Sequence, residues 1–138
     1  MVADRKQRLE LRLAAPNPPP ALGDPALLRR VLDNLVHNAV EHTPAGGLIV
    51  IGVRADADGV VVEFSDSGPG VPPEARADVF RKFFQKDVKR HVGNVGLGLA
   101  LCEKVVARHG GKIGIGDAVP KGARFFFTLP GAPAPEAV

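Results

Sequence analysis

Asn34 and Asn38 stand four residues apart, a spacing that sets two side chains next to each other on a helix. Their amide oxygens are neutral, hard donors. They suit Mg²⁺, which keeps several waters and takes its remaining charge from substrate phosphates rather than from a protein cage. Taken alone, the pair reads equally as two solvated surface amides. A second constellation, Asp66-Ser-Gly-Pro-Gly70, directly follows a β-branched run. A carboxylate at a strand end can accept a proton from an exocyclic amine such as that of adenine, and the flanking glycines let backbone approach a ligand closely. Guanine presents a carbonyl at the equivalent edge. The bland alternative is a Gly/Pro turn with a capping Asp. Gly93-Asn-Val-Gly-Leu-Gly-Leu99 precedes a helical stretch, so flexible backbone and the helix's first free N–H groups make a cradle for phosphate oxygens. It lacks the Lys-Ser/Thr ending of a Walker loop and the strand-turn-helix setting of a dinucleotide fingerprint. Between these lies Val79-Phe-Arg-Lys-Phe-Phe-Gln-Lys-Asp87, where aromatics alternate with cations. Lys82, Lys86, Lys89 and Arg90 can reach a triphosphate or form a solvated face.

The elements that must hold these groups are legible from period and punctuation. Arg8–Leu13 alternates polar and apolar residues as a half-buried strand does, and Pro16-Asn-Pro-Pro-Pro20 ends it. Asp24-Pro25 predicts an N-cap and first helical residue; Leu28, Val31, Leu32, Leu35 and Ala39 form a stripe that Thr43-Pro-Ala-Gly-Gly47 breaks. Leu48–Val53 and Val60–Phe64 predict two antiparallel strands around Asp56-Ala-Asp-Gly59. A short helix is predicted from Pro72 to Phe80, and a mobile polar loop from Gln85 to Asn94. Leu97–His109 predicts a helix closed by Gly110-Gly111, followed by strands at Lys112–Ile115 and Ala123–Leu129. The expected fold is an α/β two-layer sandwich: a mixed sheet of about five strands, three helices on one face, and an open side. Residues 1–7 are expected to be linker, 8–130 the domain and 131–138 a disordered tail.

At 138 residues with 45% hydrophobic and 24% charged residues, the chain fits one globular domain. No apolar run approaches the ~18–20 residues of a membrane span, and the first residues lack the apolar core of a signal peptide. Membrane contact by this segment is therefore not expected. Cys102 alone cannot build a disulfide framework, and the four histidines show no Cys/His zinc spacing, so a reducing, cytoplasmic setting is expected. The net charge of +3 is mild and Tyr and Trp are absent, which argues against nucleic acid.

The order of the four motifs is more specific than any one of them. Together the Asn helix, the Asp-x-Gly-x-Gly turn, the Phe-rich segment and the Gly-rich turn resemble the N, G1, F and G2 boxes of the catalytic, ATP-binding domain of bacterial sensor histidine kinases. That domain belongs to the Bergerat-fold (GHKL) superfamily shared with gyrase-type and chaperone ATPases. The resemblance covers about Asp24 to Pro130. It implies ATP and Mg²⁺ as cofactors, with Asn38 the principal Mg²⁺ ligand, Asn34 its neighbour, and both in the catalytic role. Asp66 becomes the adenine anchor beside Gly68 and Gly70, and Asn94, Val95, Gly96, Leu97, Gly98 and Leu99 form the hinge and cradle of an ATP lid. Phe83, Lys82 and Lys86 become nucleotide-contacting, and His42 is placed either to touch nucleotide or to cap its helix.

Three positions depart from the pattern. Glu41 stands where the family often has a lysine near the phosphates, Asn94 replaces the first glycine of Gly-x-Gly-x-Gly, and Gln85 stands where arginine is common. The helical hairpin that carries the family's phosphorylated histidine is not present. None of His37, His42, His91 and His109 is followed by the acidic residue that accompanies that acceptor. The resemblance therefore implies a partner domain bearing the histidine, in cis or in trans, and through it a response regulator. A stand-alone GHKL ATPase or an anti-sigma-type serine kinase is the nearest alternative; a non-catalytic nucleotide-binding module is the next. The first two commonly carry a Glu four residues before the metal-binding Asn, as general base. Here that residue is Asn34, which cannot accept a proton, whereas a neutral imidazole nucleophile needs no strong base.

Overall fold

The computed structural model describes residues 6–13, 23–56, 59–80 and 98–131. Strand β1 (Arg8–Leu13) is followed by helix α1 (Pro25–His42), strands β2 (Leu48–Asp56) and β3 (Gly59–Asp66), helix α2 (Gly98–Arg108), and strands β4 (Ile113–Asp117) and β5 (Ala123–Pro130). The third helical element takes the form of two 3₁₀ turns, Pro73–Ala75 and Asp78–Phe80. The strands form one sheet in the order β1-β2-β3-β5-β4, with β1 parallel to β2 and every other pair antiparallel.

Register explains which face becomes the core. Ile51 pairs with Phe64 and Phe64 with Phe125, so these β-branched and aromatic side chains stack on the helix side of the sheet. There they meet Val31 and Leu35 of α1 and Cys102, Val105 and Val106 of α2. The opposite face is polar across its middle: Glu63 bonds both Arg54 and Arg124 at 2.8 and 3.3 Å, and Arg124 lies 4.9 Å from the Phe126 ring centroid. This is the open side of the sandwich.

Helix α1 starts as its sequence demands. The Asp24 carboxylate accepts from Ala26 and Leu27 N–H, and proline occupies the first turn. His109, at the end of α2, clamps that start: its Nε2 accepts from the Asp24 N–H at 2.9 Å while Nδ1–H donates to the Val105 carbonyl at 2.7 Å. Backbone partners with fixed donor and acceptor roles specify the neutral tautomer. At the other end, buried Gln7 donates to the Val40 and Thr43 carbonyls, capping α1 from the strand before it.

One expectation needs correction. The alternation of β1 predicts a half-buried strand, yet Leu9, Leu11 and Leu13 are 49%, 65% and 43% exposed. They pair with Ile49, Ile51 and Val53, and so lie on the helix side. α1 packs against β3 and α2 instead of reaching the edge strand, so the alternating pattern reports a face without reporting its cover. Leu32, from the predicted stripe, is likewise 39% exposed, whereas Val40, which the stripe omitted, is buried.

Candidate active site

The G1 turn is built by backbone. Asp66, the last residue of β3, is 4% exposed, and its Oδ1 accepts from the N–H of Gly68 at 2.9 Å and of Ala123 at 3.2 Å. Its Oδ2 is buried without a protein partner. A carboxylate fixed through one oxygen by two amide donors presents the other in a set direction, toward whatever donor enters. Two glycines make this geometry possible. A Cβ on Gly68 would stand 2.2 Å from the His42 carbonyl oxygen, so only glycine lets the turn lie against the end of α1. Gly122 has φ +108, and a Cβ there would meet the Asp66 carbonyl oxygen at 1.8 Å. Ser67 completes the lock, its N–H donating to the Leu48 carbonyl at 3.1 Å and its Oγ accepting from Leu48 N–H at 2.9 Å.

The amide ledge lies on α1 beside this turn. Asn34 and Asn38 are both half-buried. Asn38 Nδ2 is buried with no hydrogen-bond partner, which is costly unless a ligand or its hydration shell completes the site. Asn34 leans on α2, where its side chain hydrogen-bonds the Cys102 thiol. That thiol is fully buried, also approaches the Val31 carbonyl at 3.8 Å, and is pushed up to about 12 by burial. Cys102 is thus the inert core residue its sequence position suggests. His42 Nδ1–H donates to the Asn38 carbonyl one turn back at 2.7 Å, which orients the ring at the end of α1.

Gly98 and Leu99 open α2, and Leu99 packs against the core. Lys82, Phe83, Lys86, Asn94, Val95, Gly96 and Leu97, with the predicted loop and lid, lie outside the described residues, as do residues 132–138 of the predicted 131–138 tail. Sequence reasoning missed Ala123 and Gly122. A glycine before an aromatic run is visible, but nothing local signals that the Ala123 N–H reaches a carboxylate 57 residues earlier. It also missed Gln7 as the far-side cap of α1.

The donor set fits a phosphate-bound hard cation better than a protein-caged one. Among the described residues no group of three or more His, Cys, Asp or Glu is placed to hold a metal. Two adjacent amides remain, beside a carboxylate suited to an amine. No helix among the described residues is long and apolar enough to cross a membrane.

A sheet covered by two helices, with an anchored Asp at a strand end and a pair of amides on the helix beside it, defines a two-layer α/β sandwich. Residues 23–133 match the family described as histidine kinase-, DNA gyrase B-, and HSP90-like ATPase, and the chain belongs to it. It is 39% identical over 137 residues to the signal transduction histidine-protein kinase/phosphatase MprB of Mycolicibacterium vanbaalenii, covering 95% of this chain and 28% of that protein. The chain thus spans little more than a quarter of the relative's length. Among solved structures it resembles full-length ShkA in complex with AMPPNP, with a TM-score of 0.83 and 34% identity over 96% of this chain and 27% of that one. It also resembles the histidine kinase ThkA in complex with the response regulator protein TrrA, with a TM-score of 0.77 and 28% identity over 95% of this chain and 36% of that one. The two-layer sandwich expected from sequence is the fold of these kinases' ATP-binding domains.

Proposed function

We propose that this chain is the Mg·ATP-binding catalytic domain of a two-component sensor histidine kinase. It positions the γ-phosphate for transfer to a histidine on a dimerisation domain outside these residues, which in turn serves a response regulator. The observation that carries the reading is Asp66: one oxygen fixed by Gly68 and Ala123, the other buried and unpartnered. An adenine amine satisfies that oxygen, whereas a guanine carbonyl would set acceptor against acceptor. Asn34 and Asn38 would hold the cation, which when bound neutralises phosphate charge. Phosphoryl transfer asks little covalent work of a protein, and positioning does most of it. Neither amide is a base, which favours an imidazole acceptor over water or a serine hydroxyl.

Radiolabelled ATP incubated with the chain, with and without an isolated acceptor hairpin, tests this. Label appearing on the hairpin's histidine only when both are present is the expected result. Hydrolysis to phosphate without the hairpin, at a rate that the hairpin leaves unchanged, would turn the reading to a stand-alone ATPase.

A further inference from the structure

One side chain joins the two backbone segments that meet at Asp66. Arg76 follows the 3₁₀ turn Pro73–Ala75, and its guanidinium is bonded in two directions. Nε–H donates to the Val71 carbonyl at 3.0 Å, and Nη2 donates to Asp117 Oδ1, 41 residues further along the chain. Val71 comes directly after Gly70, the last glycine of the G1 turn, and packs against the core. Asp117 ends β4 and pairs in register with Ala123, whose N–H holds Asp66 Oδ1. Gly70 and Gly122 lie against each other at the same junction: a Cβ on Gly70, where φ is +82, would stand 3.4 Å from the Gly122 carbonyl oxygen. The G1 turn thus leaves against the β4–β5 hairpin, and Arg76 is bonded to both. Asp117 is 78% exposed, so its ion pair is weak by itself. What sets Arg76 apart is the fork, which serves a backbone carbonyl and a carboxylate on two different segments at once.

We propose that Arg76 is a positioning residue for base recognition: it ties the outgoing end of the G1 turn to the β4–β5 hairpin and so keeps the Asp66 carboxylate aimed. The inference rests on reading Asp66 as the adenine anchor. Backbone alone touches that carboxylate, and it does so from both segments, Gly68 in the turn and Ala123 in the hairpin. Both N–H groups meet the same oxygen, so a shift of one segment against the other turns the carboxylate and moves Oδ2 with it. A hydrogen bond weakens steeply with misalignment. A purine that offers an amine to Oδ2 therefore loses affinity when the tie is cut, whereas a purine without that amine has nothing there to lose.

The test is calorimetric titration of ATP and of purine riboside triphosphate, which lacks the exocyclic amine, into the unaltered chain and its variants, all in Mg²⁺. In Arg76→Gln, ATP affinity should fall about fivefold while that of the amine-free nucleotide stays within about twofold. Asp117→Asn cuts one arm of the fork and should lower the ATP-to-analogue ratio by less. The double variant should go no lower than Arg76→Gln, because both changes remove one tie. Arg76→Lys keeps the charge without the fork and should resemble Arg76→Gln. Amide hydrogen exchange on the nucleotide-free proteins gives a second readout: protection should fall at Gly68 and Ala123 by more than across the centre of β3, with thermal melting to check that the fold is kept. Arg12→Gln makes the same charge change in an exposed pair with Glu10 on β1, and should leave the ratio unchanged. Equal weakening of both nucleotides in Arg76→Gln, an unchanged ratio, or full recovery in Arg76→Lys overturns the inference alone. Equal affinity of the unaltered chain for ATP and the amine-free nucleotide overturns the adenine-anchor reading with it.

Discussion

The two halves of the candidate site are held in opposite ways. At the G1 turn, backbone does everything: Asp66 is oriented by two amide N–H groups, and glycines at 68 and 122 let three chain segments meet without side chains between them. On α1, side chains do everything. The ledge amides stand on a regular helix, one bonded to a thiol and one with its nitrogen unpartnered. On the proposed reading, the base-recognition end is thus assembled before ligand arrives, while the phosphate end is left for cation and phosphate to complete. Preorganisation of the first kind gives specificity between bases; incompleteness of the second kind makes binding conditional on the metal.

The largest expected effect breaks the backbone half. Gly122→Ala places a Cβ into the Asp66 carbonyl oxygen at a φ that L-residues rarely adopt. It should cost at least ~2–3 kcal/mol of folding stability. Because Ala123 is the next residue, ATP affinity should fall with it. Chemical denaturation and calorimetry measure the two, and a variant as stable as the parent would mean that the turn yields more easily than its packing implies. Next comes Asp66→Asn, which keeps the Oδ1 contacts and replaces the free acceptor with a donor. Loss of a charge-assisted hydrogen bond is worth roughly 1.5–3 kcal/mol, or about tenfold to 150-fold in affinity. An unchanged dissociation constant, or GTP binding more tightly than ATP, would remove the adenine-anchor role.

Asn38→Ala sharpens the contrast from the other side. It should weaken ATP in Mg²⁺ about tenfold while changing binding in EDTA far less, because only a cation bridge is lost. The apo domain should be no less stable, and more stable by up to about 1 kcal/mol, since the substitution removes a buried amide nitrogen that has no partner. Equal weakening in Mg²⁺ and EDTA, together with a lower melting temperature, would show that Asn38 packs instead of binding.

The same contrast explains what could be read from the chain alone. The ledge was legible because helical spacing maps directly onto a face: Asp24-Pro25 starts α1 and Thr43 stops it, so Asn34 and Asn38 had to be neighbours. Strand runs and the glycines of the G1 turn were legible for similar local reasons. The lock on Asp66 was not. It comes from a pairing between β3 and β5, in which Ser65 lies opposite Arg124, and sequence separation hides such a register. The cover of β1 was hidden for the same reason, because alternation shows which side chains share a face and leaves open whether a helix reaches them. Gln7 shows the converse, a polar residue beside a strand that is buried by a helix end arriving from the far side.

The smallest effect concerns the point where the ledge touches the core. Cys102 sits under Asn34 with its thiol pushed up to about 12 from an ordinary 9.0, chiefly by desolvation. Because the folded value exceeds the unfolded one, the folded state binds the proton more tightly. The stability linked to this group is therefore complete below about pH 9 and is lost as pH rises from there toward 12. Across that window Cys102 contributes a slope of at most about 1.4 kcal/mol per pH unit, and at neutral pH it contributes none. Cys102→Ala should accordingly show a cavity cost that is constant from pH 6 to 8.5 and shrinks above it, measured as the difference between two denaturation series. At neutral pH it should change ATP affinity by only about twofold, because Asn34 loses a neighbour but keeps its place on the helix. A larger loss confined to Mg²⁺ would show that the thiol orients Asn34, and would make the ledge as preorganised as the turn it faces. A cost that does not change with pH would place the thiol's titration outside the folded state's concern and leave packing as its whole contribution.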